Sequence, residues 1–118
     1  MKILVAEDNP VNQTLLKTML QKMEHTVTLA DNGKEALEMA TAEPFDLIFM
    51  DIEMPLMGGL EATRRLREAG QETPVIALSA RVVEEERETY QKAGMNDAVP
   101  KPFSKETLAE KITMWGSR

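Results

Sequence analysis

Short apolar runs alternate with longer stretches of helical period along the chain, and this alternation strongly limits the folds that are possible. The clearest apolar runs, residues 3–6, 47–50 and 75–78, are continuous and do not alternate in polarity. Continuous apolar runs of strand length are typical of parallel strands that are covered on both faces. Repeated β–α units of this kind predict a parallel sheet with helices packed against it.

The stretches between the apolar runs carry the start and stop signals of helices. Asn9 can cap a first helix and Pro10 suits its first turn, while Gly70 and Gly94 mark the ends of the third and fourth helices. Apolar residues recur in the first helix at spacings of three and four, which predicts that this face packs on the sheet. They are Val11, Leu15, Leu16, Met19, Leu20 and Met23.

Five strands and five helices in strict alternation, joined by right-handed crossovers, predict an α/β fold with a doubly wound five-stranded parallel sheet. The length and the lack of a linker-like segment predict one domain over residues 1–118.

The fourth helix, residues 82–93, has the weakest apolar face, with little beyond Val83 and Tyr90. In such sheets the functional crevice lies beyond the carboxyl ends of the strands.

The composition argues against several classes of function. A formal net charge of −6, with no basic stretch large enough to offset it, weighs against direct binding to nucleic acid. The chain contains no cysteine, which suits a reducing compartment, and the first apolar run is too short for an export signal. The longest apolar runs are strand-sized. We therefore expect a cytoplasmic domain that makes no membrane contact.

Polar side chains follow four of the predicted strands at the point where each strand ends. Glu7 and Asp8 follow the first strand, Asp51 the third, Ser79 the fourth and Lys101 the fifth. All should converge on one edge of the sheet. Carboxylates held together repel one another, so the site needs a cation, and hard oxygen donors suit Mg²⁺.

Phosphoryl transfer is the chemistry that this set of groups could perform, because its catalysis is mostly positioning and charge neutralisation. Asp51 is the expected nucleophile and would form an acyl phosphate. Lys101 and the bound Mg²⁺ would neutralise phosphoryl oxygens, while Ser79 would donate a hydrogen bond to the phosphoryl product. A carboxylate is already ionised at neutral pH, so no general base is required.

These residues resemble those of the response-regulator receiver family. The resemblance covers nearly the whole chain and is carried by residues 5–12, 50–59, 78–80 and 94–103. Residues 9–12, Asn-Pro-Val-Asn, have the form common among receivers of hybrid sensor histidine kinases. The resemblance implies a flavodoxin-like fold with strand order 2-1-3-4-5. It also implies a signalling phosphoacceptor of a two-component phosphorelay, and not an enzyme.

By the same resemblance, Asp8 and Asp51 would bind Mg²⁺ directly, Glu7 would act mainly through water, and the main-chain carbonyl of Glu53 would complete the protein's ligands. The Lys101–Pro102 bond would be cis. The phosphoryl donor would be a histidine kinase or a histidine phosphotransfer domain. The signal would pass on by conformational change or onward phosphotransfer, from a monomer or weak dimer.

Two features of the site motivate further hypotheses. Receivers usually carry an aromatic residue three positions before the lysine, where this chain has Ala98. We therefore expect a small conformational response, carried by backbone movement of the fourth helix and suited to a relay domain. Glu53 and Arg81 each lie two residues beyond a site residue and have opposite charges. We expect them to approach each other across the phosphoryl group and to tune the access of water.

Other functions are compatible with parts of this pattern. A receiver-shaped interaction module that is never phosphorylated is the main alternative, although the complete set of acids, hydroxyl and lysine argues against it. A metal-dependent phosphohydrolase would use the same nucleophile, but Glu53 stands where a second Asp is expected. Flavin binding would need a phosphate-binding loop after the first strand, where Glu7 and Asp8 would repel phosphate.

Overall fold

A computed structural model describes residues 1–116, so Ser117 and Arg118, at the end of the predicted domain, lie outside the described residues. Strands and helices alternate strictly along the chain. The strands are β1 (Lys2–Ala6), β2 (Thr26–Ala30), β3 (Leu47–Asp51), β4 (Val75–Ser79) and β5 (Asp97–Pro100). The helices are α1 (Pro10–Lys22), α2 (Gly33–Ala42), α3 (Gly59–Glu68), α4 (Val83–Ala93) and α5 (Lys105–Gly116). Within residues 1–116, none of these helices combines the length and the hydropathy that crossing a bilayer requires.

All five strands form one parallel sheet in the order β2-β1-β3-β4-β5. The predicted fold class and strand order are therefore confirmed. The register places Ala6 beside Met50 and Asp51 beside Leu78. Because parallel strands end at the same edge of a sheet, this register brings the residues that follow β1, β3, β4 and β5 to one edge.

Two apolar clusters cover the two faces of the sheet, and successive strand residues alternate between them. Leu4 belongs to the cluster under α2, α3 and α4, while Ile3 and Val5 belong to the cluster under α1 and α5. Successive side chains of a strand point to opposite faces, so burial on both sides requires an unbroken apolar run. This explains why the central strands lack polar alternation.

The apolar face of α1 is only partly used for packing on the sheet. Leu16 and Leu20 are fully buried, but Val11 is 75% exposed and Leu15 is 44% exposed. The prediction that the whole set packs on the sheet was therefore wrong for these two residues. The apolar stripe of α1 is wider than its contact with the sheet, so residues on its flank remain in solvent.

Helix ends follow the predicted signals. The Oδ1 atom of Asn9 accepts hydrogen bonds from the N–H groups of Val11 and Asn12 at 2.8 and 3.1 Å, which caps α1. Gly94 ends α4 with a φ of 102°, in the left-handed region that favours glycine. Asn9 ends the loop between β1 and α1 at the carboxyl edge of the sheet, whereas Gly94 lies before β5 at the opposite edge.

Candidate functional site

Three carboxylates meet at the carboxyl ends of β1 and β3. Glu7, Asp8 and Asp51 each present an oxygen, and these oxygens lie within 4.8 Å of one another. Glu7 and Asp51 are buried, whereas Asp8 is exposed. Three negative groups this close are unfavourable without a cation. The all-oxygen donor set, open to solvent on one side, fits Mg²⁺, which retains some of its water when it binds to proteins.

Lys101 extends from the end of β5 to the same cluster. Its Nζ lies 3.1 Å from Asp51 Oδ2 and 3.5 Å from Glu7 Oε2. The main-chain N–H of Lys101 donates to the carbonyl of Ser79 at 2.7 Å, and the Lys101–Pro102 bond is cis, as the resemblance implied. The structure therefore brings together four of the predicted site residues, Glu7, Asp8, Asp51 and Lys101.

The carboxylate of Asp51 is held in one orientation by two contacts. Its Oδ1 accepts a hydrogen bond from the N–H of Ile52 at 2.8 Å, while Oδ2 faces the Lys101 ammonium. The side chain nevertheless lines the cleft that contains Glu7 and Asp8. Asp51 is therefore a fixed carboxylate next to a positive charge and within reach of a small reactant.

The pKa of the Glu7 carboxyl is raised from 4.5 to about 7, first by burial and next by a hydrogen bond with Asp51. The amide of Asn12, which donates to Glu7 Oε1 at 2.8 Å, and the charge of Lys101 act in the opposite direction. Without a cation, Glu7 therefore carries a proton at mildly acidic pH. A bound divalent cation would favour the ionised form.

Ser79 lies at the predicted strand end, but its hydroxyl is engaged by another residue. Its Oγ shares a hydrogen bond of 2.7 Å with the hydroxyl of Tyr90, in which either oxygen can be the donor, and it lies 3.1 Å from the carbonyl oxygen of Arg81. Tyr90 itself lines the acidic cleft. The sequence prediction assigned Tyr90 only to the apolar face of the fourth helix and missed this contact.

Glu53 and Arg81 approach each other at the mouth of the site, as predicted. Arg81 Nη2 lies 3.5 Å from Glu53 Oε1, and Nη1 lies 3.9 Å from Glu86 Oε1. Glu53 and Arg81 are both largely exposed, so their pairing contributes about 0 to 1 kcal/mol of stability. Its effect on water access, and the use of the Glu53 carbonyl as a metal ligand, stay predictions.

Residues 3–113 match the family model described as the response regulator receiver domain. Among solved structures, the chain is similar to the receiver domain of sensor histidine kinase PA1611 from Pseudomonas aeruginosa, which has a magnesium ion coordinated in its active site cleft. The two are 39% identical with a TM-score of 0.90, over 99% of this chain and 98% of that one. The chain is also similar, at 30% identity and a TM-score of 0.94, to a structure of Saccharomyces cerevisiae Ypd1, a histidine phosphotransfer signalling protein, with the receiver domain of its response regulator Ssk1. That match covers 99% of this chain and 89% of the other.

Curated relatives include the sensor histidine kinase GacS of Pseudomonas protegens, 36% identical over 97% of this chain. The histidine-protein kinase BarA of Escherichia coli is 40% identical over 92% of this chain. The chain spans only 13% of the length of the first relative and 12% of the second. The similarity to these relatives and the matching family model indicate the same family, and the strand order of the sheet is consistent with it. The chain belongs to the response regulator receiver domain family.

Proposed function

We propose that this chain is a phosphorelay receiver that accepts a phosphoryl group on Asp51 in a Mg²⁺-dependent reaction. The observation that carries the proposal is the position of Lys101 Nζ, 3.1 Å from Asp51 Oδ2, beside the carboxylates of Glu7 and Asp8. The arrangement pairs one nucleophilic oxygen with a fixed positive charge and a set of cation ligands. A phosphoryl group requires both neutralisation and alignment to be transferred.

In the proposed reaction, an ionised carboxylate oxygen of Asp51 attacks phosphorus, and the oxygen–phosphorus bond forms as the bond to the donor nitrogen breaks. The leaving imidazole keeps the electron pair and takes its proton from solvent. Lys101 holds its charge beside the phosphoryl oxygens, and the N–H of Ile52 fixes the other carboxylate oxygen of Asp51 at 2.8 Å. Bound Mg²⁺ would supply further charge neutralisation.

The proposed ligands for Mg²⁺ are Asp8 and Asp51 directly, Glu7 through water, and the main-chain carbonyl of Glu53. The clustering of three carboxylate oxygens within 4.8 Å supports the first three. Ser79 is proposed to donate a hydrogen bond to the phosphoryl product. Its strand-end position beside β3 supports this role.

The proposed donor is a phosphohistidine on a histidine kinase or on a histidine phosphotransfer domain. The similarity to kinase receivers and to a receiver found with such a phosphotransfer protein supports this. We propose a cytoplasmic domain over residues 1–118 within a hybrid kinase, monomeric or weakly dimeric, without direct nucleic acid or membrane contact. It would act as a phosphoacceptor and not as an enzyme that turns over small substrates.

Intact-mass measurement after incubation with acetyl phosphate and Mg²⁺ tests the proposal. The wild-type chain should gain one phosphoryl group, and Asp51→Asn should gain none. Asp46→Asn is the matched control, because Asp46 lies at the opposite end of β3 and accepts a hydrogen bond from the N–H of Lys2 at 2.7 Å. This control should be phosphorylated like the wild type. An unmodified wild-type chain, or equal modification of Asp51→Asn, would overturn the proposal and favour the interaction module.

A further inference from the structure

Tyr90 links the helix α4 to the end of β4. It lies in α4, is only 4% exposed, and has its hydroxyl oxygen 2.7 Å from Ser79 Oγ. It is the only tyrosine in the sequence. A buried tyrosine hydroxyl needs a hydrogen-bonding partner, and Ser79 provides one. The helix is therefore connected directly to the hydroxyl expected to bind the phosphoryl group.

Tyr90 lines two spaces. It lines the acidic cleft with Asp51 and Lys101. It also lines a small cavity with Met95 and Ala98. Ala98 has no side-chain atom beyond its Cβ, so this cavity is not filled from β5.

The hydroxyl of Ser79 has a single proton to donate. In this structure Ser79 bonds to Tyr90 and to the main chain of Arg81. A phosphoryl group on Asp51 would offer charged acceptor oxygens, and hydrogen bonds to charged acceptors are about twice as strong as neutral ones. Formation of the phosphoryl group therefore competes with the group that now accepts this proton, the Tyr90 hydroxyl or the carbonyl of Arg81.

We propose that Tyr90 is a positioning residue that retains the Ser79 hydroxyl in the unphosphorylated protein. Phosphorylation of Asp51 draws Ser79 away, and its contact with Tyr90 breaks. This inference depends on the proposed function. It replaces the expectation that the absence of an aromatic residue at position 98 leaves only a small response, because here the aromatic side chain belongs to α4 itself.

A single fluorotyrosine signal makes the loss of this contact observable, since Tyr90 is the only tyrosine. Fluorine NMR of the fluorotyrosine-labelled chain should show this signal shifting when Mg²⁺ and beryllofluoride, a phosphoryl mimic, are added. In Ser79→Ala the signal should be displaced before addition and should move little afterwards. Ser104→Ala is the matched control, because Ser104 caps α5 and is not among the residues that line the acidic cleft, and it should behave like the wild type.

The fluorine signals of bound beryllofluoride report binding independently, so two failures can be distinguished. Binding to the wild type without a shift of the Tyr90 signal would overturn the inference and leave the proposed function standing. Absence of beryllofluoride binding would overturn the proposed function and the inference with it. A Tyr90 shift of the same size in Ser79→Ala would also overturn the inference.

Tyr90→Phe removes the hydroxyl and keeps the ring, so it tests the role of the hydroxyl alone. Beryllofluoride affinity should rise about fivefold, the change in an equilibrium constant that one neutral hydrogen bond produces. In the Ser79→Ala background, Tyr90→Phe should leave the affinity unchanged, because the partner of the hydroxyl is already absent. An equal effect in both backgrounds, or no effect in the wild-type background, would show that Tyr90 does not act through Ser79.

Discussion

Replacing Glu7 with glutamine should remove a pH dependence of stability from the metal-free protein. The Glu7 pKa is raised from 4.5 to about 7, first by burial and next by the hydrogen bond with Asp51. The folded state therefore binds this proton more tightly than the unfolded chain does. The corresponding stability is fully present below about pH 4.5 and is lost as the pH rises through about 7.

The size of this change in unfolding free energy follows from the pKa shift of Glu7. The difference between about 7 and 4.5 is about 2.5 pKa units, which corresponds to roughly 3 kcal/mol at about 1.4 kcal/mol per unit. Glutamine has nearly the same shape as glutamate and does not titrate. From about pH 4.5 to about pH 8, the wild type should therefore lose roughly 3 kcal/mol of unfolding free energy relative to Glu7→Gln.

Urea unfolding in the presence of a chelator, followed by far-ultraviolet circular dichroism across this pH range, measures the difference. Glu68→Gln is the matched control, because Glu68 is exposed at the end of α3, and its difference from the wild type should not depend on pH. Adding Mg²⁺ at high pH should stabilise the wild type more than Glu7→Gln. Parallel pH profiles for the wild type and Glu7→Gln would refute the reasoning.

Three further outcomes are expected from other parts of the chain. Leu16→Ala should lower the unfolding free energy by about 2 to 5 kcal/mol and Leu15→Ala by well under half of that, because only Leu16 is fully buried; equal losses by urea unfolding would contradict the packing of α1. Gly59→Ala should cost about 1 to 3 kcal/mol, since its Cβ would overlap the carbonyl of Asp51 at the end of β3; wild-type stability would show that the loop yields freely. Arg81→Ala should change the lifetime of the acyl phosphate, measured by intact mass over time, while altering stability by less than about 1 kcal/mol; an unchanged lifetime would remove its proposed role at the mouth of the site.

The fold and most of the site could be predicted because the same residues specify both. The apolar runs end at the residues that carry charge, so finding the end of β1 or β3 also locates Glu7 or Asp51. Parallel topology then brings the strand ends together without any information on side-chain packing. For this reason the convergence of Lys101 on the acids could be predicted from order along the chain.

The parts that could not be predicted depend on packing between distant elements. Whether Leu15 or Leu16 faces the sheet depends on the rotation of α1 about its axis, and an apolar stripe wider than the contact does not specify that angle. The contact between Tyr90 and Ser79 depends on how closely α4 approaches the end of β4. The available signal was the combination of an isolated aromatic residue in α4 with the small Ala98 on β5.

The pairing of Ala6 with Met50 makes the length of the central strands critical. An insertion or deletion of a single residue within β1 would exchange Leu4 and Val5 between opposite layers of the core. The same shift would displace Glu7 and Asp8 from their alignment with Asp51. A variant of this chain that keeps the acidic cluster must therefore keep the spacing of its central strands.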